Sequence, residues 1–189
     1  MGVKEQMIQI LRDSQTSRIH FNYRSSTASA SITNRTFTRV ADSLESGHLH
    51  VVPGRFQDNR LTYSAWDDST TGDAANTFYL GNNLTWSRDF NALVVHESIH
   101  AYFDLDSRSI QWLDNEVIAY IAQGYYLRNS GYPQSRLEED EPYELGYRVA
   151  VEYARHNGSP NTWITLLRDK LNTDSRYSSY IHTRFRGDG

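Results

Sequence analysis

Apolar positions Val3, Met7, Ile10 and Leu11 recur at helical spacing, so residues 3–13 are predicted to open the chain with a short amphipathic helix. Residues 24–36, rich in Ser and Thr, read as loop or edge strand. From about residue 37 to residue 82 the pattern changes to short strand-like runs at 49–52, 61–66 and 77–80. Turn-rich pieces such as Pro53-Gly54 and Thr71-Gly72-Asp73 separate them. After Asn82-Asn83 the periodicity turns helical and stays so. Ser87 or Asp89 can cap a helix running to about Phe103. A second helix is expected over about 112–128, with Asp114 as its candidate N-cap. A third starts near Pro142, where proline suits a first turn, and ends near Asn157-Gly158. Ser159-Pro160 then introduces a fourth over about 161–171. Strands first and helices after is an α+β layout. A short N-terminal helix and a small, mostly antiparallel sheet (about 37–82) should precede a helical half (about 87–172). No internal repeat or linker interrupts the pattern, so the 189 residues are expected to form one domain.

Composition narrows the function. With 38% hydrophobic and 22% charged residues the chain reads as globular, and much of its apolar material is aromatic, including 13 Tyr and 4 Trp. A net charge of −4 and scattered basic residues speak against nucleic-acid binding, which wants a clustered basic surface. No apolar run approaches a membrane span. The start, Met1-Gly2-Val3-Lys4-Glu5-Gln6, carries neither a secretory apolar region nor the hydroxyl residue of a myristoylation signal. A soluble chain is expected, cytoplasmic or delivered by another route. The sequence contains no cysteine, so any zinc must be held by His, Asp or Glu.

That last point directs attention to His96-Glu97-Ser98-Ile99-His100. Two histidines four residues apart on a helix lie about one turn apart on one face, where both imidazoles can reach one zinc ion. Glu97, beside the first ligand, can take a proton from water at the metal. Ala92-Leu93-Val94-Val95 before the motif, and Ile99, Ala101, Tyr102 and Phe103 within and after it, make the helix largely apolar, hence buried. Burying two histidines and a glutamate is costly unless something occupies them. The plainer alternative is a pair of core histidines bonded to backbone carbonyls.

A catalytic zinc needs a third protein ligand and one open position. Asp104 is poorly placed, because three side chains spread over about 12 Å of one helix cannot converge on one ion. Asp106 falls where that helix ends. Asp114 and Glu116 both belong to the next helix. Asp114 has a reason to be there as N-cap, whereas Glu116 sits among Trp112, Leu113, Ala119 and Tyr120, an apolar setting for an unpartnered carboxylate. Glu116 is therefore the preferred third ligand, with Asp114 and Asp106 as alternatives.

The run His96-Glu97-x-x-His100-Ala101-x-x-Asp104, followed by Asn115-Glu116-x-x-Ala119, resembles the active-site helices of gluzincin metallopeptidases, the thermolysin-like branch of the zincins. The resemblance covers roughly residues 91–120. It implies a zincin-like fold, one Zn2+ per chain held by His96, His100 and Glu116, and Glu97 as general base. It also implies a peptide or protein substrate. Two departures stand out. The gap between the second His and Glu116 is shorter than in thermolysin, and Tyr120 stands where that group usually carries an acid supporting a ligand histidine. Small bacterial metallopeptidase-like domains, including toxin or effector modules, look similar, and would bring an inhibitor or immunity protein as partner. A zincin-fold binding module without catalysis is a further alternative, against which Glu97 speaks.

Other features carry less. A zincin presents a strand to its substrate by β-augmentation, for which 77–80 is the candidate unless it is simply a core strand. Tyr147, His156 and Tyr120 are candidate donors to an oxyanion. His48 and His50 share a strand face and are expected to face solvent. Asn34-Arg35-Thr36, Asn83-Leu84-Thr85 and Asn157-Gly158-Ser159 match the glycosylation sequon, a weak signal here. The acidic run 138–141 reads as a solvated turn leading into the third helix.

Overall fold

In the computed structural model, which describes residues 2–139, 141–155 and 161–189, the N-terminal pattern becomes α1 (Val3–Arg12) and buries Met7, Ile10 and Leu11. A 3-10 turn (Thr16–Arg18) leads into β1 (Phe21–Arg24), which pairs antiparallel with β2 (Ser29–Ile32). The next element corrects the sequence reading. Residues expected as loop and strand form a helix, α2 (Asn34–Ser46), opened by a capping box in which the Thr33 amide donates to Thr36 Oγ1 at 3.2 Å. Its buried residues Phe37, Val40, Ala41 and Leu44 repeat at helical spacing, and Gly47, with φ at 81°, closes it in the left-handed conformation. The Ser and Thr content around it masks that spacing.

The sheet contains β3 (His50–Phe56), β4 (Leu61–Ser64) and β5 (Thr77–Gly81) in the order β3-β5-β4. β5 runs parallel to β3 and antiparallel to β4, so the sheet is mixed rather than mostly antiparallel. β5 is central and buried along its whole length. Residues 77–80 are therefore a core strand, and the edges are β3 and β4, each paired with β5 alone among the described residues.

Ser87 caps α3 (Arg88–Leu105), its Oγ accepting from the Phe90 amide at 3.2 Å. After β6 (Ser109–Gln111) come α4 (Trp112–Asn129), α5 (Pro142–Arg155) and α6 (Asn161–Thr173). β7 (Arg184–Arg186) returns to pair antiparallel with β6. The expected end of the third helix near Asn157-Gly158 and the start signal Ser159-Pro160 lie outside the described residues. Among the described residues the result is an α+β arrangement of six α-helices and small sheets whose buried apolar side chains form one contiguous cluster. α3 and α4 are apolar nearly all round, as helices in the middle of a fold must be. α1, α2 and β4 pack against α3, and α5 and α6 against α4. α4 and α5 touch backbone to backbone. A Cβ on Gly124 would stand 2.4 Å from the Gly146 carbonyl, and one on Gly146 would stand 2.3 Å from the Tyr120 carbonyl oxygen. Among the described residues no helix is long and apolar enough to cross a membrane.

Asp114 is not the N-cap of α4; Gln111 occupies that position. Asp114 lies in the first turn, fully buried, and accepts from Tyr23 Oη at 2.6 Å, from Thr27 Oγ1 and from Arg168. It thus joins the β1–β2 hairpin and α6 to α4. Burial by itself would raise its pKa, but the hydrogen bonds from Thr27, Tyr23 and Arg168 outweigh this and hold the carboxyl below its ordinary 3.8. A group depressed in this way stabilises the fold above its unfolded-state value, and that contribution is lost as pH falls through the folded one. Asp114→Ala should therefore lower stability at neutral pH by about 3–5 kcal/mol, because it leaves the Arg168 charge unpaired. It should also remove part of the stability loss below about pH 4. Urea unfolding at neutral and acid pH measures both effects; a midpoint unchanged at neutral pH would show the network to be idle.

Candidate metal centre

The largely apolar sequence around the motif buries α3, and with it the residues that carry chemistry. His96 and His100 are each 5% exposed, Glu116 is 4% exposed and Glu97 is 9% exposed. The helical repeat turns both imidazoles toward α4, where Glu116 meets them. One Glu116 carboxylate oxygen lies 3.4 Å from His96 Nε2 and the other 3.9 Å from His100 Nε2. One ligand atom from each of the three residues falls within 4.8 Å of the others. Among the described residues this is the sole group of three or more His, Asp or Glu that could hold a metal ion.

The spacing suits zinc. Tetrahedral ligands at about 2.0–2.1 Å from an ion stand about 3.3 Å apart, a spacing close to the 3.4 Å and 3.9 Å that separate Glu116 from the two imidazoles. The tautomers suit it as well. His96 Nδ1 lies 3.1 Å from Gln123 Oε1, and His100 Nδ1 lies 3.0 Å from Asn115 Oδ1. With Nδ1–H donating to these carbonyl oxygens, each neutral imidazole would turn its Nε2 lone pair toward Glu116 and a shared metal.

Gln123 answers the departure noted at Tyr120. The Tyr120 ring sits edge-on against His96, with centroids 4.5 Å apart, and its hydroxyl pairs with Tyr177 Oη. Gln123, next along that face of α4, orients the His96 ring instead. Periodicity along α4 from Glu116 would have named it, since positions 116, 120 and 123 share one helix face. Neither Asn115 nor Gln123 is charged. If the triad holds zinc, either Asn115→Ala or Gln123→Ala should weaken its binding about 10–100-fold without preventing it, as read by competition with a chromogenic chelator. Unchanged affinity in both variants would deny the amides an orienting role.

The electrostatics favour positive charge here. Burial raises the Glu97 carboxyl, and the attraction of His100 and His96 offsets only part of this. Burial also pushes Glu116 up, but His100, His96 and the Tyr180 hydroxyl together bring it below its ordinary value. Burial would lower His96, yet its bond to Glu116 and the charges of Glu97 and Glu116 leave it raised. Two buried carboxylates facing two imidazoles form an environment suited to a cation.

Compared with family models, curated proteins and solved structures, the chain matches none. Its site is therefore read from its own geometry. The other candidate ligands are engaged elsewhere. Asp104 accepts from Tyr63 Oη and the Asp188 amide, Asp106 pairs with Arg39 and Arg108, and Asp114 belongs to the hairpin network. His48 and His50 are both exposed and belong to no metal-holding group among the described residues.

Glu97 points along the same cleft without joining the ligand triad. Its Oε2 accepts from the Tyr63 amide of β4 at 2.9 Å. The cleft, about 320 Å³, is walled by Thr62 and Tyr63 of β4 and by Trp112, Tyr143, Tyr177 and Tyr180. A second cavity of about 420 Å³ adjoins it across Leu93, Gln123 and Tyr143, with Phe90, Leu127 and Leu137 in its walls. Of the candidate oxyanion donors, Tyr120 lines the cleft, Tyr147 instead directs its hydroxyl at the Tyr132 carbonyl oxygen, and His156 lies outside the described residues. The sequence reading missed Tyr180, whose hydroxyl donates to Glu116 Oε1 at 3.2 Å. Tyr177 and Tyr180 belong to a run of turns after α6, and no local pattern tells where such a run folds back.

Proposed function

We propose that the chain is a zinc-dependent peptidase with a zincin-like fold. The observation that carries this reading is the placement of Glu97. It stands beside a buried His96–His100–Glu116 triad but outside it, with its carboxylate oriented by the backbone of an edge strand. A site that only held a metal would not need a second carboxylate in the cleft.

His96, His100 and Glu116 would hold the ion. When bound, zinc supplies Lewis acidity, polarising a peptide carbonyl and lowering the pKa of water. Glu97 does the proton work: it takes a proton from water and delivers it to the leaving amine. Tyr63 N–H fixes one oxygen of Glu97, a residue that lines the cleft. Burial strengthens these interactions by excluding bulk water. An extended peptide would pair with the outer edge of β4, where Glu97 already takes the Tyr63 N–H, rather than with β5. The adjoining cavity, with Phe90, Leu93, Leu127 and Leu137 beside Asp89, Arg136 and Glu138, would take a substrate side chain. Tyr120 and Tyr180 line the cleft with their hydroxyls engaged by Tyr177 and Glu116, so either could serve the developing negative charge only by exchanging that partner.

Two measurements test the proposal together. Elemental analysis after mild purification should find about one zinc per chain. Incubation with a mixed peptide library, followed by mass spectrometry, should show cleavage that a chelator stops and zinc restores. A metal-free protein that neither binds added zinc nor cleaves any peptide would refute the reading.

A further inference from the structure

Tyr63 is held by α3 at both ends. Its backbone amide donates to Glu97 Oε2 at 2.9 Å, and its phenol donates to the carboxylate of Asp104. Glu97 and Asp104 are seven residues apart, hence two turns apart on one face of α3. Asp104 is fully buried and is itself fixed by the Asp188 amide at 3.1 Å. The Tyr63 hydroxyl also lies 3.2 Å from Asn76 Oδ1, and its ring packs on Phe78 of β5 with centroids 4.9 Å apart.

β4 needs such a pin. It has four residues and pairs with β5 along one side only. In an antiparallel ladder alternate residues turn their peptide groups toward the partner strand. The bond from the Gly81 amide to the Arg60 carbonyl oxygen sets Thr62 and Ser64 as the residues of β4 that face β5. The Tyr63 amide therefore points the other way, out of the sheet and at Glu97. A small outward shift of the edge would release Glu97 while leaving the β5 ladder intact.

We propose that Asp104 is a positioning residue: by gripping the Tyr63 hydroxyl it holds the free edge of β4, and with it the amide that orients Glu97. The inference rests on the peptidase reading for its kinetic consequence, but its structural part stands apart from it. Asp104 does not touch the substrate or the metal triad; it acts through Tyr63.

The test uses the full chain and two variants, Asp104→Ala, which removes the acceptor, and Tyr63→Phe, which removes the donor and keeps the ring and its packing. Amide hydrogen exchange in the metal-free protein should speed up about tenfold at position 63, the loss expected when one hydrogen bond stops being held, while the Thr62 amide changes little. Zinc stoichiometry should stay as in the parent, and kcat should fall about 10–100-fold with KM less affected, as a misplaced base predicts. In a Glu97→Gln background Asp104→Ala should lower the residual rate no further, since the group it positions is gone. Unchanged exchange at position 63 in Tyr63→Phe overturns the inference. So does an equal loss of rate with and without Glu97, which would mark Asp104 as a general structural support. A parent protein that cleaves no peptide counts against the peptidase reading instead, and the exchange measurement then decides the positioning alone.

Discussion

Glu97→Gln is expected to reduce peptide hydrolysis by about 10²–10⁴-fold while zinc content and fold persist, because an amide of the same shape cannot accept the proton from water. The substitution is close to isosteric. The carbonyl oxygen of the introduced amide can still accept from the Tyr63 N–H, so the β4 edge stays in place and the chemistry alone is removed. Replacing a buried carboxyl whose pKa burial has raised by a neutral amide should also leave stability the same or slightly higher. Three measurements on one preparation separate these effects: kcat on the best library peptide, zinc by elemental analysis, and the unfolding midpoint. A variant as active as the parent would remove Glu97 from the mechanism, whatever the fate of the metal site.

The second large effect is expected at Glu116. Glu116→Ala removes one of three protein ligands and should weaken zinc binding by more than about 100-fold, beyond what losing either amide support does. Activity should be lost with the metal. The two histidines would then remain buried without their anionic partner, so the metal-free variant should be less stable than the metal-free parent. Glu116→Asp retains the charge but shortens its reach, and should bind zinc at an intermediate level. Isothermal titration of zinc into the metal-free proteins reads all three. Equal affinity in Glu116→Ala and the parent would mean that any bound ion sits elsewhere.

Much of this site is legible from local pattern. The HExxH spacing places both imidazoles on one helix face, and the apolar flanks within 92–103 announce a buried α3. Glu116 stands out because a carboxylate among apolar helical neighbours needs a partner, and it lies against His96 and His100. Asp114, two residues earlier, misleads by looking like a cap. A capping carboxylate and a buried one are the same residue type near a helix start, and only the arrival of Tyr23, Thr27 and Arg168 from distant segments distinguishes them. α2 escapes the sequence reading for a different reason. Its apolar spacing of 37, 40, 41 and 44 is present, but β-branched Thr33, Thr36 and Thr38 favour strands by propensity, and tertiary burial of the apolar face overrides it.

The helical half is a matter of local pattern: where α3 and α4 run, which stretches are apolar, and which side chains one turn apart could share an ion. These depend on contacts within a few residues, and a 3.6-residue period reports them directly. Long-range packing, by contrast, sets which strand lies at the edge, which amides orient the histidines, and which tyrosines close the cleft. Each depends on residues far apart in the chain, such as Tyr63 against Asp104 or Tyr180 against Glu116, and sequence spacing carries no information about where such segments meet.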